Sequence, residues 1–298
     1  MTFENGRTFG TLLTAMVTPF HEDGSLDIDS AVSLAKRLVA AGNDGLVLSG
    51  TTGESPTTHA PEKAELVAAV VEAVGDRATI IAGASSNDTE HAVRMAEQAA
   101  QAGAHGLLAV TPYYSRPSQR GVVAHLRAIA DSTELPVMLY DIPGRTGVRL
   151  TAQSYDELAQ HERIVAVKDA TGDVGAAAAH IARTGLDWYS GDDGLFLPFL
   201  SVGAVGLVSV TAHVAADDFK QVAQSFFRGD NSEAISRAAK LIPLTEAIMG
   251  SGAGAVMIKA ALGELGHIES TAMRLPQMRA NEAEIAVVRS ALQAHGLL

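Results

Sequence analysis

The 298-residue sequence contains no cysteine, which excludes a disulfide framework, a thiolate nucleophile and any cysteine-based metal site, and suits a reducing compartment. It is also short of positive charge. Lys and Arg number 22 against 34 Asp and Glu, a formal net charge of -12, so neither nucleic acid nor an anionic membrane would find counter-charge on it. A small molecule is the expected partner. No apolar run approaches the ~20 residues of a spanning helix, and the opening MTFENGRTFG lacks the basic and apolar stretches of an export signal. The chain is therefore expected to be cytoplasmic, with no membrane contact. What it does have is 47% apolar residues, ample for one large core with an appendage or for two smaller ones.

Short runs rich in Val, Ile and Leu alternate with Ala-rich amphipathic stretches. TLLTAMVTP, GLVLSG, TIIAGA, GLLAVTP, PVMLYDI, IVAVKDA, DWYSGD and AVGLVSVT read as strands. Between them, residues 30–42, 60–75 and 89–103 read as helices, each closing on a glycine of the kind a left-handed cap favours. An internal echo supports a repeating unit: AGNDGLVLSG (41–50), AGAHGLLAVT (102–111) and VGAVGLVSVT (202–211) each run from helix end through tight turn to apolar strand. About eight β/α units in the first ~225 residues match a (β/α)₈ TIM barrel. The alternative, a doubly wound sheet, would usually need fewer strands. The expected organisation is a catalytic barrel over 1–226 and a C-terminal helical extension over 227–298, in which helical periodicity continues to the end. That extension either packs on the barrel or a neighbouring chain, or forms a solvated tail.

The run IVAVKDATG (164–172) sets a lysine at the end of an apolar strand. Period-2 alternation places Ile164, Ala166 and Lys168 on one face, and Val165, Val167 and Asp169 on the other. If Lys168 points into the barrel near the strand's C-terminal end, it sits where barrels build active sites, among apolar neighbours that favour an uncharged, nucleophilic amine. Such an amine forms a Schiff base with a ketone or aldehyde. The other reading is a lysine that snorkels to water or pairs with Asp169.

Other strand ends carry further candidates. SGTTGES (49–55) sets Thr51 and Thr52 between glycines, which suits an oxyanion or carboxylate, or else is an ordinary βα turn capping the next helix. YDIPGRTG (140–147) offers the Tyr140 phenol as a proton relay and the Arg145 guanidinium as a bidentate carboxylate grip, with a packed tyrosine and a surface arginine as the alternatives. TPYYSRPSQ (111–119) adds Tyr113 and Tyr114 on a Pro-flanked loop suited to an interface. GSGAGA (250–255) follows no strand of a βαβ unit and reads as a turn, not a dinucleotide loop. Asp192, Asp193 and His213 lack metal-ligand spacing, so no metal is expected.

Taken jointly, GTTGES, TPYYSRPSQ, YDIPGRTG, VKDATGD and SGDD, in this order and at strand ends, resemble the dihydrodipicolinate synthases of the N-acetylneuraminate lyase superfamily. The resemblance runs from TAMVTPF near residue 14 to VTAHVAADD near 218. It implies a class I aldolase that condenses pyruvate with L-aspartate 4-semialdehyde to 4-hydroxy-tetrahydrodipicolinate, on the route to diaminopimelate and lysine, with no cofactor. By resemblance Lys168 carries the Schiff base. Tyr140, Thr51 and Tyr114 form a hydroxyl relay, with Tyr114 reaching into a neighbouring subunit's site and Tyr113 at that interface. Thr52 binds the pyruvate carboxylate through its amide, Arg145 holds the semialdehyde's carboxylate, and Gly191 and Val208 contribute main-chain carbonyls. The resemblance further implies a homotetramer, a dimer of tight dimers.

The rival within the superfamily is a pyruvate-dependent lyase for N-acetylneuraminate or a 2-keto-3-deoxy sugar acid, which does not usually carry the arginine of GRTG. A catalytically silent ligand-binding barrel is the non-enzyme alternative. Two departures stand out. SGAGAVMIKAAL (251–262) replaces an asparagine- and proline-rich segment, so the C-terminal helices are expected to pack differently. Positions that carry histidines and a glutamate in lysine-inhibited members are Ala60, Lys63 and His91 here, so lysine inhibition is expected to be weak or absent.

Overall fold

Each apolar run of the sequence becomes one strand of a closed, all-parallel barrel in the computed structural model, which describes residues 7–250 and 254–298. The strands are β1 (Leu12–Ala15), β2 (Gly45–Leu48), β3 (Thr79–Gly83), β4 (Gly106–Val110), β5 (Val137–Asp141), β6 (Ile164–Asp169), β7 (Asp187–Ser190) and β8 (Gly206–Ser209), with β8 pairing back onto β1. The helices between them are α1 (Ile28–Ala40), α2 (Ala60–Val74), α3 (Thr89–Gln101), α4 (Gln119–Asp131), the single turn α5 (Pro143–Thr146), α6 (Ala152–Leu158), α7 (Val174–Thr184) and α8 (Phe196–Ser201). Then come α9 (Ala212–Phe227), α10 (Asn231–Met249), α11 (Gly254–Glu264) and α12 (Glu282–His295). Side-chain oxygens open several of these helices: Asp27, Asp88, Ser118 and Asp173 each accept a first-turn amide, the capping that an N-terminus with orphan donors requires.

Strand alternation divides the core in two. Leu13, Val47, Ile81, Leu108, Met138, Tyr189 and Val208 fill the interior, while Leu46, Ile80, Leu107, Leu139, Val167 and Leu207 lie beneath the helices. At the bottom Phe9 is fully buried, and the Tyr189 hydroxyl donates to the Gly10 carbonyl at 2.8 Å. Barrel interiors of this size are packed, not porous.

The repeated glycines have two different causes. Gly42, Gly103 and Gly203, which precede β2, β4 and β8, have φ of +101°, +86° and +103°, a conformation costly for any other residue. Gly45, Gly106 and Gly206, at the strand starts, are excluded from side chains by crowding: an added Cβ would lie 2.8 Å from Thr79 O, 2.6 Å from the Phe9 ring and 2.1 Å from Thr11 O. One cap differs from the sequence-based expectation. Gly75 has φ −66°, and what it avoids is a Cβ 2.5 Å from the Val71 carbonyl.

Two further expectations need correction. The alternation in β6 holds only from Ala166 onward: a register shift pairs Val137 with Ile164 but Met138 with Ala166. The extra residue sends Ile164 to the outer core and Val165 toward the inner one, as a bulge does. Helical structure is also not continuous to the C-terminus, because residues 267–281 form an irregular segment between α11 and α12. The C-terminal helices are nonetheless packed: Leu241, Leu244, Ile248, Ile258, Leu262, Val288 and Leu292 are buried, and α10 lies on α9 with α12 against α10 and α11. Of GSGAGA, residues 251–253 lie outside the described residues. Among the described residues, no single helix is long and apolar enough to cross a membrane.

His213, buried at the start of α9, ties the ends of two strands. The Val17 amide donates to its Nε2 at 3.0 Å, and its Nδ1 lies 2.7 Å from the Val210 carbonyl, an arrangement that needs the neutral ring. Burial lowers its pKa from 6.5 to about 4. The unfolded chain therefore takes up this proton first as pH falls, and stability present above about pH 6.5 is lost progressively down to about pH 4, by on the order of 3 kcal/mol. Thermal unfolding of wild type and His213→Gln between pH 7 and 4 is expected to show a shallower fall for the variant. Parallel slopes would contradict this role.

Candidate active site

The C-terminal mouth of the barrel collects the candidate residues, each set by its strand. Lys168 is the penultimate residue of β6 and faces inward. Its side chain is buried, at 5% relative exposure. In register it stands between Tyr140 on β5 and Tyr189 on β7, and its Nζ lies 4.4 Å from the centre of the Tyr140 ring. Neither alternative reading of this lysine holds. It does not snorkel to water, and the Asp169 carboxylate points to the opposite face, accepting the Trp188 indole N–H at 3.0 Å and the Thr171 amide at 2.9 Å. A buried amine at the C-terminal end of a barrel strand, beside a phenol, stands where a carbonyl substrate can be captured.

Above Tyr140 opens a cavity of about 430 Å³ whose wall includes Gly50, Thr51, Tyr113, Tyr140, Ile142 and Arg145. Thr51 is exposed to it, whereas Thr52 is buried at 7% relative exposure. The loop bearing them begins at Ser49 and ends at Glu54, both in left-handed backbone with φ of 54°. Arg145 lies exposed on α5. That turn is held from below: the Asp141 carboxylate, at the end of β5, accepts the Leu150 amide at 3.0 Å and the Tyr155 hydroxyl at 2.9 Å. Burial pushes Asp141 up to about 6.

Lys168 and Thr52 lie behind this wall and do not line the cavity, and neither do Gly191, Val208 and Tyr114. Gly191 follows β7, where its amide donates to the Asp169 carbonyl at 2.7 Å. Val208 lies in β8 within the barrel interior. Tyr114 is 89% exposed, with φ of 71°, and is not part of the cavity wall. Of the residues weighed as metal ligands, Asp193 binds the Val210 and Thr211 amides at 3.2 Å and accepts from Ser209 Oγ, while both His213 nitrogens serve the main chain.

The cavity extends to a second wall formed by Ser55, His59, Ala60, Lys63, Ser86 and His91. The Lys63 amine donates to Ser55 Oγ at 3.1 Å, and burial lowers its pKa to about 8. Ser49 Oγ, on the same wall, has no hydrogen-bond partner among the described residues.

One residue of the mouth carries no strand-end signal in the sequence. Glu54, the acid of GTTGES, is 3% exposed and takes Lys259 Nζ at 2.7 Å and the Arg274 amide at 3.0 Å. The available signal was Lys259 itself, a lone cation within the apolar helix sequence VMIKAAL, which must find a partner if buried.

Comparison with known proteins matches residues 8–295 to the dihydrodipicolinate synthetase family. The chain is 54% identical over 290 residues to a 4-hydroxy-tetrahydrodipicolinate synthase of Bifidobacterium longum, covering 97% of this chain and 96% of that one. Among solved structures, the dihydrodipicolinate synthase of Cyanidioschyzon merolae with lysine bound superposes with a TM-score of 0.95 at 39% identity, covering 98% of this chain and 100% of that one. The chloride-inhibited enzyme of Acinetobacter baumannii complexed with pyruvate gives 0.93 at 34% identity, covering 97% and 100%.

Proposed function

The chain belongs to the dihydrodipicolinate synthetase family, and we propose that it is a 4-hydroxy-tetrahydrodipicolinate synthase whose Lys168 captures pyruvate as a Schiff base and condenses it with L-aspartate 4-semialdehyde. The observation that carries this reading is the buried amine of Lys168 against the Tyr140 ring, at the mouth of a closed barrel. Attack of Nζ on the keto carbon and loss of water give an iminium, which drains electrons from the pyruvate methyl group. Deprotonation yields an enamine that adds to the aldehyde carbon of the semialdehyde. The semialdehyde's own amine then displaces lysine as the ring closes. Protons move at each stage, but no electrons are exchanged with an external carrier, so the reaction calls for no cofactor.

The remaining residues take the roles that the family resemblance implies. Tyr140 and Thr51 share the cavity wall and serve as the proton relay. Tyr114 completes it from the neighbouring subunit, a role that its exposure favours. Thr52 offers its amide to the pyruvate carboxylate, with Gly191 and Val208 contributing carbonyls at the opposite strand ends. Arg145, exposed on the cavity wall, receives the second carboxylate. This cation favours the synthase over a lyase for N-acetylneuraminate or a sugar acid. A homotetramer built from tight dimers, cytoplasmic and divided into a barrel over 1–226 and helices over 227–298, completes the reading.

Borohydride reduction in the presence of pyruvate is expected to add a pyruvate-derived mass to the peptide containing Lys168, and Lys168→Ala to abolish it while the fold survives; an adduct elsewhere, or none, sinks the proposal. Arg145→Ala is expected to raise the semialdehyde KM about tenfold or more, the worth of charge-assisted hydrogen bonds, with unchanged semialdehyde kinetics as the contrary result. Because Ala60, Lys63 and His91 stand where lysine-inhibited members carry histidines and a glutamate, lysine is expected to inhibit weakly or not at all. Strong inhibition at micromolar lysine would refute that expectation.

A further inference from the structure

Glu54 is joined to a part of the chain more than 200 residues away. Its Oε1 accepts Lys259 Nζ from α11, and its Oε2 accepts the Arg274 amide from the irregular segment between α11 and α12. The same Lys259 amine donates to the Ala272 carbonyl at 2.7 Å and lies 4.5 Å from the Phe20 ring centre, while the Arg274 guanidinium lies 4.2 Å from that ring. Arg274 in turn donates to Gly24 O, Thr57 O and both Glu62 oxygens. The C-terminal region thus grips the loop after β2 at one carboxylate, through two hydrogen bonds from different segments.

A buried ion pair is weak evidence for stability, since apolar side chains of like size often serve as well. What this one supplies is direction. The loop carrying Thr51 and Thr52 is bounded by two non-glycine residues in left-handed backbone, and such conformations persist only where the surroundings over-determine them. The surroundings at Glu54 do so. Thr18 Oγ1 donates to the Gly53 carbonyl at 2.7 Å, Thr58 Oγ1 to the Glu54 carbonyl at 2.9 Å, and the carboxylate is held by the C-terminal region. Thr51 and Thr52 stand within three residues of that fixed point.

Resting on the proposed roles of Lys168, Thr51 and Thr52, we infer that Glu54 and Lys259 are positioning residues for pyruvate capture, through which the C-terminal helices set the threonine loop against the Schiff-base lysine. Displacement of reacting groups by about 1 Å costs on the order of a hundredfold, so slackening this anchor should act on the pyruvate half of the reaction. Arg145 lies on a different segment, where Thr146 Oγ1 donates to the Ile142 carbonyl at 3.2 Å and Asp141 accepts the Leu150 amide, and its handling of the semialdehyde should persist.

The test uses the full-length double variant Glu54→Gln/Lys259→Met, which removes both charges and leaves neither uncompensated, and, separately, Arg274→Met, which frees the segment that supplies the Ala272 carbonyl and the Arg274 amide. Expected for each is a folded protein with pyruvate-dependent borohydride trapping slowed about tenfold or more and a raised pyruvate KM, but a wild-type semialdehyde KM. Trapping at the wild-type rate, or equal rises in both KM values, overturns the inference. If the double variant does not fold, Arg274→Met decides by the same split. Failure of the wild-type protein itself to trap pyruvate at Lys168 overturns the functional reading and this inference with it.

Discussion

A lysine amine keeps no hydration shell inside an apolar core, so its presence there demands walls that neither open nor slip. Closure of β8 onto β1 supplies them. An open sheet would leave an edge of unpaired main-chain groups, and with it water, beside the strand that bears Lys168. Here the phenol of Tyr189 and the ring of Phe9 fill the barrel below the amine, and the Tyr140 ring lies against it. The one direction left for a reactant is the mouth. The choice of tyrosines flanking Lys168 in register, on β5 and β7, therefore fixes both the dryness of the amine and the side from which a keto acid would approach.

Around that mouth the loops are held by buried carboxylates that bind main-chain amides. Asp141 accepts the Leu150 amide beyond α5, Asp169 the Thr171 amide, and Asp193 the amides of Val210 and Thr211. Glu54 does the same with the Arg274 amide. Each aspartate sits at or just beyond a strand end and ties down the loop that follows or the strand beside it, while Glu54 ties its loop to the C-terminal region. Charge-assisted hydrogen bonds of this kind are short and directional, which suits a scaffold that must hold hydroxyls and a guanidinium around one nitrogen. Part of the acidic excess in the composition is thus internal carpentry, while the remainder faces solvent.

The barrel was legible because its signals are local: eight apolar runs, the alternation of strand and helix, and a glycine echo whose members turn out to serve either φ or close approach. Lys168, Thr51, Tyr140 and Arg145 were legible for a related reason, since each is a polar residue at or within four residues of the end of an apolar strand. What escaped were effects of pairing between distant segments. The slip that turns Ile164 outward depends on β5, not on the sequence of β6 alone. The right-handed cap at Gly75 depends on the Val71 carbonyl. The place of Glu54 in GTTGES depends on Lys259 and Arg274, more than 200 residues away, and the break in the C-terminal helices is the segment that makes this contact.

The central claim is that the dry amine of Lys168 forms a covalent bond to pyruvate with the threonine loop beside it. A crystal structure of the protein grown with pyruvate tests it most directly. The account predicts continuous density from Lys168 Nζ to the keto carbon, with the carboxylate against the Gly50–Thr52 main chain. Pyruvate resting unbonded in the cavity, or bonded to Lys63 on the far wall, would contradict it.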